Sequence, residues 1–264
     1  MENVLTEIDQ RGVARLTLNR PEVHNAFDDV LIANLTDKLK SLDAADNVRI
    51  VVIAAAGRSF SAGGDLNWMQ RTADYTVEEN LTDAKALADL MWTLNRLSKP
   101  TIALVQGAAY GGGVGLVSCC DIVIAVERAK FCLSEVKLGL IASVISPYVL
   151  AAIGESQARR YTLTAETFDA DEARRIGLVH DVVGDDDALE AEGGHVIASL
   201  LNNGPMAMAG VKDLLFSLRG KTIDRDVFDD TADRIARIRA SDEGREGVSA
   251  FLEKRKPNWI GEGE

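Results

Sequence analysis

The chain has 264 residues, enough to bury a core of its own without disulfides or a structural metal. Hydrophobic residues make up 47% and charged residues 27%, as in ordinary globular proteins. The 29 basic against 41 acidic side chains give a net charge of −12, which disfavours binding to nucleic acid backbones. No apolar run approaches the length of about 18 residues that marks a membrane span, and the N-terminus lacks the regions of a signal peptide, so we expect a cytoplasmic protein.

The apolar pattern predicts alternating strands and helices up to about residue 145. In chain order it indicates two strands within residues 3–19, a helix over 28–43, a buried strand over 48–56, a loop over 57–65, a helix over 78–97, a strand over 101–105, a helix opened by Gly111-Gly112-Gly113 and ending at Cys120, and strands over 122–126 and 130–133. Strand signals then fade, and residues 187–253 are nearly all helical in pattern. This strand–strand–helix rhythm predicts α/β layers over residues 1–200 and a helical region over 201–264.

Two glycine-bearing segments each follow a predicted buried strand, namely Ser61–Asp65 (SAGGD) and Tyr110–Gly115 (YGGGVG). The second fails the dinucleotide-binding pattern because Leu116 stands at its third glycine position, and neither segment is a P-loop. The three histidines form no metal-ligand pair, and we expect no metal. An odd number of cysteines in apolar surroundings predicts reduced thiols in the core, at Cys119, Cys120 and Cys132.

These glycine segments have two interpretations. A helix beginning at Gly112 points its free N–H groups outward, and a second N–H from Gly64 would complete a two-donor site for an oxyanion. Alternatively, both segments are only tight turns that need positive φ. Glu135 follows a predicted strand in apolar surroundings, where desolvation would raise its pKa toward that of a general acid/base. It is equally well explained as a surface glutamate paired with Lys137 or Lys130.

Several motifs occur in an order that resembles the enoyl-CoA hydratase/isomerase (crotonase) family over most of the chain. They are Leu18–Pro21, Asn25–Phe27, Ser59–Leu66, Lys99–Ala103, Gln106–Gly113, Cys120–Ile122, Phe131–Gly139, Leu163–Ala165 and Gly177–Val179. The resemblance implies a spiral of repeated strand–strand–helix turns with a C-terminal helical region that builds homotrimers or homohexamers. It also implies an acyl-CoA substrate and no separate cofactor, the CoA thioester itself being the carrier.

The resemblance also assigns roles to individual residues. Gly64 and Gly112 match the two oxyanion-hole amides, and Glu135 matches the second of two glutamates that activate water in the hydratases. The first glutamate position is Gly115 here, a departure from that pattern. CoA contacts are implied for five further residues, the last two toward a neighbouring subunit: Ala62, Asp65, Leu66, Phe251 and Lys254.

The amino-acid sequence around Glu135 resembles that of the family branch that acts on 3-methylglutaconyl-CoA and related β-branched, carboxylated enoyl-CoAs. Such substrates arise in leucine and acyclic terpenoid breakdown. We therefore expect a hydratase of such substrates. The alternatives are a Δ3,Δ2-enoyl-CoA isomerase that uses Glu135 alone, and a catalytically idle subunit with this fold. Candidate cations for a second substrate carboxylate are Arg71, Lys85 and Lys137. Candidate groups to replace the missing glutamate in holding water are Tyr110, Tyr148 and Ser143.

Overall fold

The computed structural model describes residues 2–261, which form ten strands and ten α-helices. The strands are β1 (Val4–Ile8), β2 (Val13–Leu18), β3 (Ile50–Ala55), β4 (Ser59–Ser61), β5 (Thr101–Val105), β6 (Ala108–Tyr110), β7 (Ile122–Val126), β8 (Lys130–Cys132), β9 (Phe168–Asp169) and β10 (Asp181–Val183). The helices are α1 (Asp29–Ala44), α2 (Leu66–Thr72), α3 (Val77–Arg96), α4 (Gly112–Cys119), α5 (Ser146–Thr164), α6 (Ala170–Arg175), α7 (Asp186–Leu201), α8 (Pro205–Leu218), α9 (Arg225–Ala240) and α10 (Asp242–Leu252).

The ten described strands form two separate sheets. The larger has the order β1-β2-β3-β5-β7-β10, parallel except for the β1–β2 hairpin. The smaller has the order β4-β6-β8-β9, with β4, β6 and β8 parallel. The chain passes from a strand of the large sheet to one of the small sheet and then to a helix, three times in succession. This is the predicted strand–strand–helix spiral.

Most of the predicted long elements are confirmed, and the missed ones are short or interrupted. The expected loop over 57–65 contains β4, and β6, β9 and β10 were not predicted because two or three residues carry no periodic signal. Helix α5 was also missed, since Gly154 breaks its helical backbone at φ +73°. The helical pattern over 187–253 is confirmed as α7 to α10.

Buried polar side chains hold the connection between β3 and β4 in place. The Asn25 amide donates to the carbonyls of Ala56 and Ser59, at 2.8 and 2.9 Å. The Gln106 amide also donates to Ser59 O at 3.0 Å. Ser61 Oγ donates to Asn25 O at 2.9 Å. Because unpaired buried polar groups are costly, this network fixes the course of the chain just before the first glycine segment.

The C-terminal helices extend from the layered core. Helix α7 packs on strands β5, β7 and β10, and α8 is tied to the core through Lys212, whose Nζ lies 2.6 Å from Asp121 Oδ2. Apolar side chains remain exposed on α8 to α10, including Leu215, Phe228 and Phe251. The division at residues 200/201 and the oligomeric role of the second part stay predictions, and residues 1 and 262–264 lie outside the described range. None of the helices within residues 2–261 has both the length and the apolarity to cross a membrane.

Candidate active site

Three adjacent parallel strands of the small sheet end at one edge, and each is followed by a predicted site segment. Gly63 and Gly64 follow β4, Gly111 and Gly112 follow β6, and Glu135 follows β8. Parallel strands bring their carboxyl ends together, which explains how segments about 25 to 50 residues apart in sequence meet. The predicted residues Gly64, Gly112 and Glu135 accordingly line a single cavity of about 370 Å³.

The two glycine segments pack backbone against backbone. A Cβ added at Gly63 would lie 3.1 Å from Tyr110 O, and one added at Gly113 would lie 2.8 Å from Ser61 O. Gly63 and Gly111 also adopt positive φ, +88° and +50°. The glycines therefore allow both tight turns and close backbone contact. The two interpretations of these segments, as turns and as sources of free amides, are compatible in this structure.

The N–H groups of Gly64 and Gly112 are available to a ligand. Gly112 is the first residue of α4, so its N–H has no acceptor within the helix. Within residues 2–261, the Gly64 N–H donates no hydrogen bond, although its neighbours Phe27 and Asp65 pair through the backbone. Two such donors beside one cavity can stabilise negative charge on a carbonyl oxygen.

Glu135 opens a short 3₁₀ turn over Glu135–Leu138, with its carboxylate directed toward the second glycine segment. A Cβ on Gly111 would lie 3.2 Å from Glu135 Oε1. The other carboxylate oxygen, Oε2, is buried and has no hydrogen-bond partner within residues 2–261. Burial raises the pKa of Glu135 above its ordinary value of 4.5. Among the described ion pairs none includes Glu135, so the structure favours the acid/base interpretation over pairing with Lys130 or Lys137.

An apolar wall occupies the space beside Gly115. A Cβ there would overlap the Ile145 side chain, approaching Ile145 Cβ to 3.0 Å and Met91 Cε to 3.1 Å. Ile145 is 3% exposed and Met91 is fully buried, so neither can swing into solvent. The position that the resemblance assigns to a first glutamate is thus closed by hydrocarbon.

The rest of the cavity lining is mostly apolar and includes Trp68, Leu87 and Val144. Its side-chain hydroxyls are Ser134 and Ser143; Tyr110 and Tyr148, the other candidates for holding water, do not line it. No lysine or arginine is among the described lining residues. Of the candidate cations, Arg71 pairs with Asp29 at 2.6 Å, whereas Lys85 and Lys137 are exposed outside the cavity.

The five residues with implied CoA contacts are placed differently from one another. Ala62 and Leu66 line the cavity, and Leu66 is 82% exposed at its rim. Asp65 is buried, caps α2 by accepting from Asn67 N at 2.9 Å, and pairs with Arg20 at 3.1 Å, so its carboxylate is committed within the chain. Phe251 and Lys254 are exposed near the end of α10, outside the described cavity lining of their own chain.

Sequence reasoning missed a second cavity that shares Ala62 with the first. It measures about 390 Å³ and is lined on one side by basic side chains: His24, Arg58, Arg128 and Lys130. Arg128 pairs with Asp186, whereas Arg58 and Lys130 form no ion pair within residues 2–261. These residues are scattered through the sequence of an acidic chain, so no local signal marks them.

Comparison with known proteins agrees with this arrangement. The family profile described as enoyl-CoA hydratase/isomerase matches residues 8–262. A crystal structure of an enoyl-CoA hydratase from Shewanella pealeana superposes with a TM-score of 0.94 and 50% identity, covering 98% of this chain and 96% of that one. From Escherichia coli, a 1,2-epoxyphenylacetyl-CoA isomerase is 34% identical over 265 residues, 99% of each chain. A 2,3-dehydroadipyl-CoA hydratase from the same organism is 32% identical over 259 residues, 96% of each chain.

The chain therefore belongs to the enoyl-CoA hydratase/isomerase family, and its fold is the crotonase fold. It is an enzyme of the hydratase or isomerase type, whose substrates are CoA thioesters. The alternative of a catalytically idle subunit loses support, because relatives with these names cover nearly the whole chain. The similar sequence identities to a hydratase and to an isomerase are compatible with either reaction.

Alanine substitutions at the two candidate amides should have different consequences. Gly112→Ala places a methyl 2.8 Å from the ring of Phe27, which is 1% exposed and cannot move away. We expect it to displace the N–H and lower kcat/KM about 100- to 1,000-fold. Gly64→Ala meets the flexible Met69 side chain at 3.2 Å and the Trp68 ring at an ordinary contact distance of 3.6 Å, so it should change unfolding free energy by less than about 1 kcal/mol. Steady-state kinetics and thermal unfolding of both variants test this. Equal losses of kcat/KM and of unfolding free energy in the two variants would contradict the expected difference.

A second pair of substitutions tests the apolar wall. Gly115→Ala should destabilise the protein by about 1–3 kcal/mol, because its methyl overlaps Ile145. Ile145→Ala should cost about 2–4 kcal/mol through the cavity that it leaves. Combined, the two should cost clearly less than their sum, since the new methyl enters the vacated space. Urea unfolding of the three variants measures this, and simple additivity would show that the two side chains do not compete.

Proposed function

We propose that this enzyme is an enoyl-CoA hydratase that works with one carboxylate, Glu135. The observation that carries the proposal is the buried, unpartnered Glu135 Oε2 in the cavity that also receives two candidate oxyanion donors, Gly64 and Gly112. Burial raises the pKa of Glu135, which makes its ionised carboxylate a stronger general base. The two amides would polarise a thioester carbonyl and make its β-carbon electrophilic.

In the proposed reaction the oxygen of water attacks the β-carbon of the conjugated thioester. The electron pair of the double bond moves toward the carbonyl oxygen, which becomes an enolate held by the Gly64 and Gly112 N–H groups. Glu135 accepts one proton from the attacking water. It then returns this proton to the α-carbon, which restores the thioester carbonyl and leaves a β-hydroxyacyl-CoA.

A single carboxylate leaves the water with one acceptor fewer than the two-glutamate hydratases provide. The Gly115 position offers no replacement, since Ile145 and Met91 cover it. Of the three groups that the sequence suggested, only Ser143 lines the cavity. We therefore assign the second contact of the attacking water to the Ser143 hydroxyl.

For the substrate we propose a β-branched enoyl-CoA, with 3-methylglutaconyl-CoA as the leading candidate. The apolar lining suits a branched carbon chain. A relative named 2,3-dehydroadipyl-CoA hydratase supports hydration of a chain that ends in a carboxylate. Because no described lining residue is cationic, the distal carboxylate would lie at the mouth of the cavity or against a neighbouring subunit.

For the CoA portion we propose the basic cavity next to Ala62. Its cations Arg58 and Lys130 suit the phosphates of CoA, which the net charge of −12 would otherwise repel. Phe251 and Lys254 would contact the CoA bound to a neighbouring subunit of a homotrimer or homohexamer. Residues 201–264 would then form the oligomerisation region, a role that the exposed apolar side chains of α8 to α10 support.

One observation favours a second candidate, a Δ3,Δ2-enoyl-CoA isomerase. In that reaction a proton is removed from the α-carbon, next to the thioester carbonyl, and added to the γ-carbon at the far end of the original double bond. No water takes part. The hydrocarbon wall of Ile145 and Met91 at the Gly115 position suits a water-free transfer.

A panel of matched thioesters tests the reaction and the substrate. We expect loss of enoyl-thioester absorbance with 3-methylglutaconyl-CoA and slower loss with 3-methylcrotonyl-CoA, which has the same branch without the distal carboxylate. Glu135→Gln should lower the rate at least about 1,000-fold. Equal rates on the two substrates would contradict the carboxylate preference. Activity confined to a 3-enoyl-CoA, seen as a rise in conjugated absorbance, would replace hydratase by isomerase.

The raised pKa of Glu135 predicts opposite pH trends for activity and stability. The base must be ionised, so kcat/KM should rise with pH through a pKa above the ordinary 4.5. The folded state prefers the protonated form, so the carboxylate weakens the fold as pH rises from its ordinary pKa to the raised one. Glu135→Gln should thus gain stability relative to the native enzyme from about pH 4 upward. Exposed Glu78→Gln is the control, and a constant difference across pH would contradict burial of the charge.

A further inference from the structure

The two ends of the Trp68 indole contact different parts of the molecule. Trp68 lies on α2 and lines the cavity. Its Nε1–H donates to Asp83 Oδ1 at 3.2 Å. A Cβ added at Gly64 would lie 3.6 Å from Cζ3, on the six-membered ring. The ring is therefore hydrogen-bonded at its polar edge, and its six-membered ring lies beside the α-carbon of Gly64, one of the two candidate oxyanion residues.

Asp83 lies on α3, on the same face as Leu87, one turn further on, which lines the same cavity. The carboxylate is half-buried, and Trp68 is its side-chain hydrogen-bond donor within residues 2–261. The nearby charges are Asp29 and Arg71, which pair with each other at 2.6 Å on the surface. Within residues 2–261 this half-buried carboxylate forms no ion pair, so the indole N–H is the group that offsets its burial and the two side chains hold each other in place.

Other contacts already hold α2 at both ends. At its beginning Asp65 caps the helix and pairs with Arg20, and near its end Arg71 pairs with Asp29. The bond between Asp83 and Trp68 lies between these contacts. It adds a directional restraint on the rotation of the indole ring, which also packs against the hydrophobic core.

We infer that Asp83 is a positioning residue, which acts through Trp68 to hold the cavity wall and the Gly64 N–H in the geometry that receives the thioester carbonyl. The inference rests on the proposed function for the role of Gly64. Asp83 is not among the described lining residues of the cavity, so it would act through the indole. Its effect is expected in the alignment of the carbonyl, because small displacements of a catalytic donor are costly.

The experiment compares Asp83→Ala, Asp83→Asn, Trp68→Phe and the double variant Asp83→Ala/Trp68→Phe. Asparagine retains an acceptor oxygen for the indole, whereas phenylalanine keeps a ring without the donor. Asp89→Ala is the matched control, since Asp89 is a carboxylate of the same helix that pairs with Lys40 on the surface at 2.8 Å. Thermal unfolding checks that each variant is folded.

Three readouts separate positioning from a structural role. Near-ultraviolet circular dichroism, taken as the native spectrum minus that of Trp68→Phe, reports the indole orientation without any ligand. The enolate absorbance of bound acetoacetyl-CoA reports the two amides without catalytic turnover. Steady-state kinetics on the best thioester of the panel give kcat and KM separately.

We expect Asp83→Ala to lower kcat about tenfold, with a smaller change in KM, and Asp83→Asn to stay within about threefold of the native enzyme. Asp83→Ala should lose the indole dichroism and weaken the enolate band, and it should have no further effect in the Trp68→Phe background. Native dichroism in Asp83→Ala, or equal losses in both backgrounds, would overturn the inference. A native enzyme that forms no enolate band would instead count against the proposed function, while the dichroism still tests Asp83.

Discussion

Backbone contact between two glycine segments is the constraint on which the candidate site depends. Side chains at Gly63 or Gly113 would separate the segments, and the two free N–H groups would then point to different places. The contact is possible because β4, β6 and β8 are neighbours in one parallel sheet and end at the same edge. The buried amides of Asn25 and Gln106 complete the arrangement by fixing the chain just before β4. A spiral of strands thus brings local turns together as a two-donor site.

The sequence predicted the parts of this site that depend on local pattern or on family motifs. Gly64, Gly112 and Glu135 were found because they stand in recognisable segments after strands, and the structure brings all three to one cavity. The long elements were found from their apolar periodicity. Strands β4 and β6 escaped because three residues hold less than two full alternations.

What sequence reasoning could not find depends on contacts between distant residues. Gly115 was recognised as a departure from the family pattern, but its consequence lies in Ile145, thirty positions further along, which fills the space. Likewise, Asp83 looks like any surface carboxylate of a helix until α2 places the Trp68 indole against it. The basic cavity beside Ala62 draws its cations from segments that no single motif contains. Packing, rather than composition, decides these features.

The wall formed by Ile145 also bears on the proposed use of a single glutamate, Glu135, at a site where the family resemblance implies two. A carboxylate at position 115 would repel Glu135, or share a proton with it, and would attract water. Hydrocarbon at that place leaves Glu135 as the one ionisable group facing the described cavity lining, with a pKa raised by burial alone. Such a group is a stronger base once ionised than an ordinary carboxylate, which favours its taking a proton from water. Absence of the first glutamate and closure of the wall therefore go together: the site has one acceptor fewer for water and a more basic Glu135.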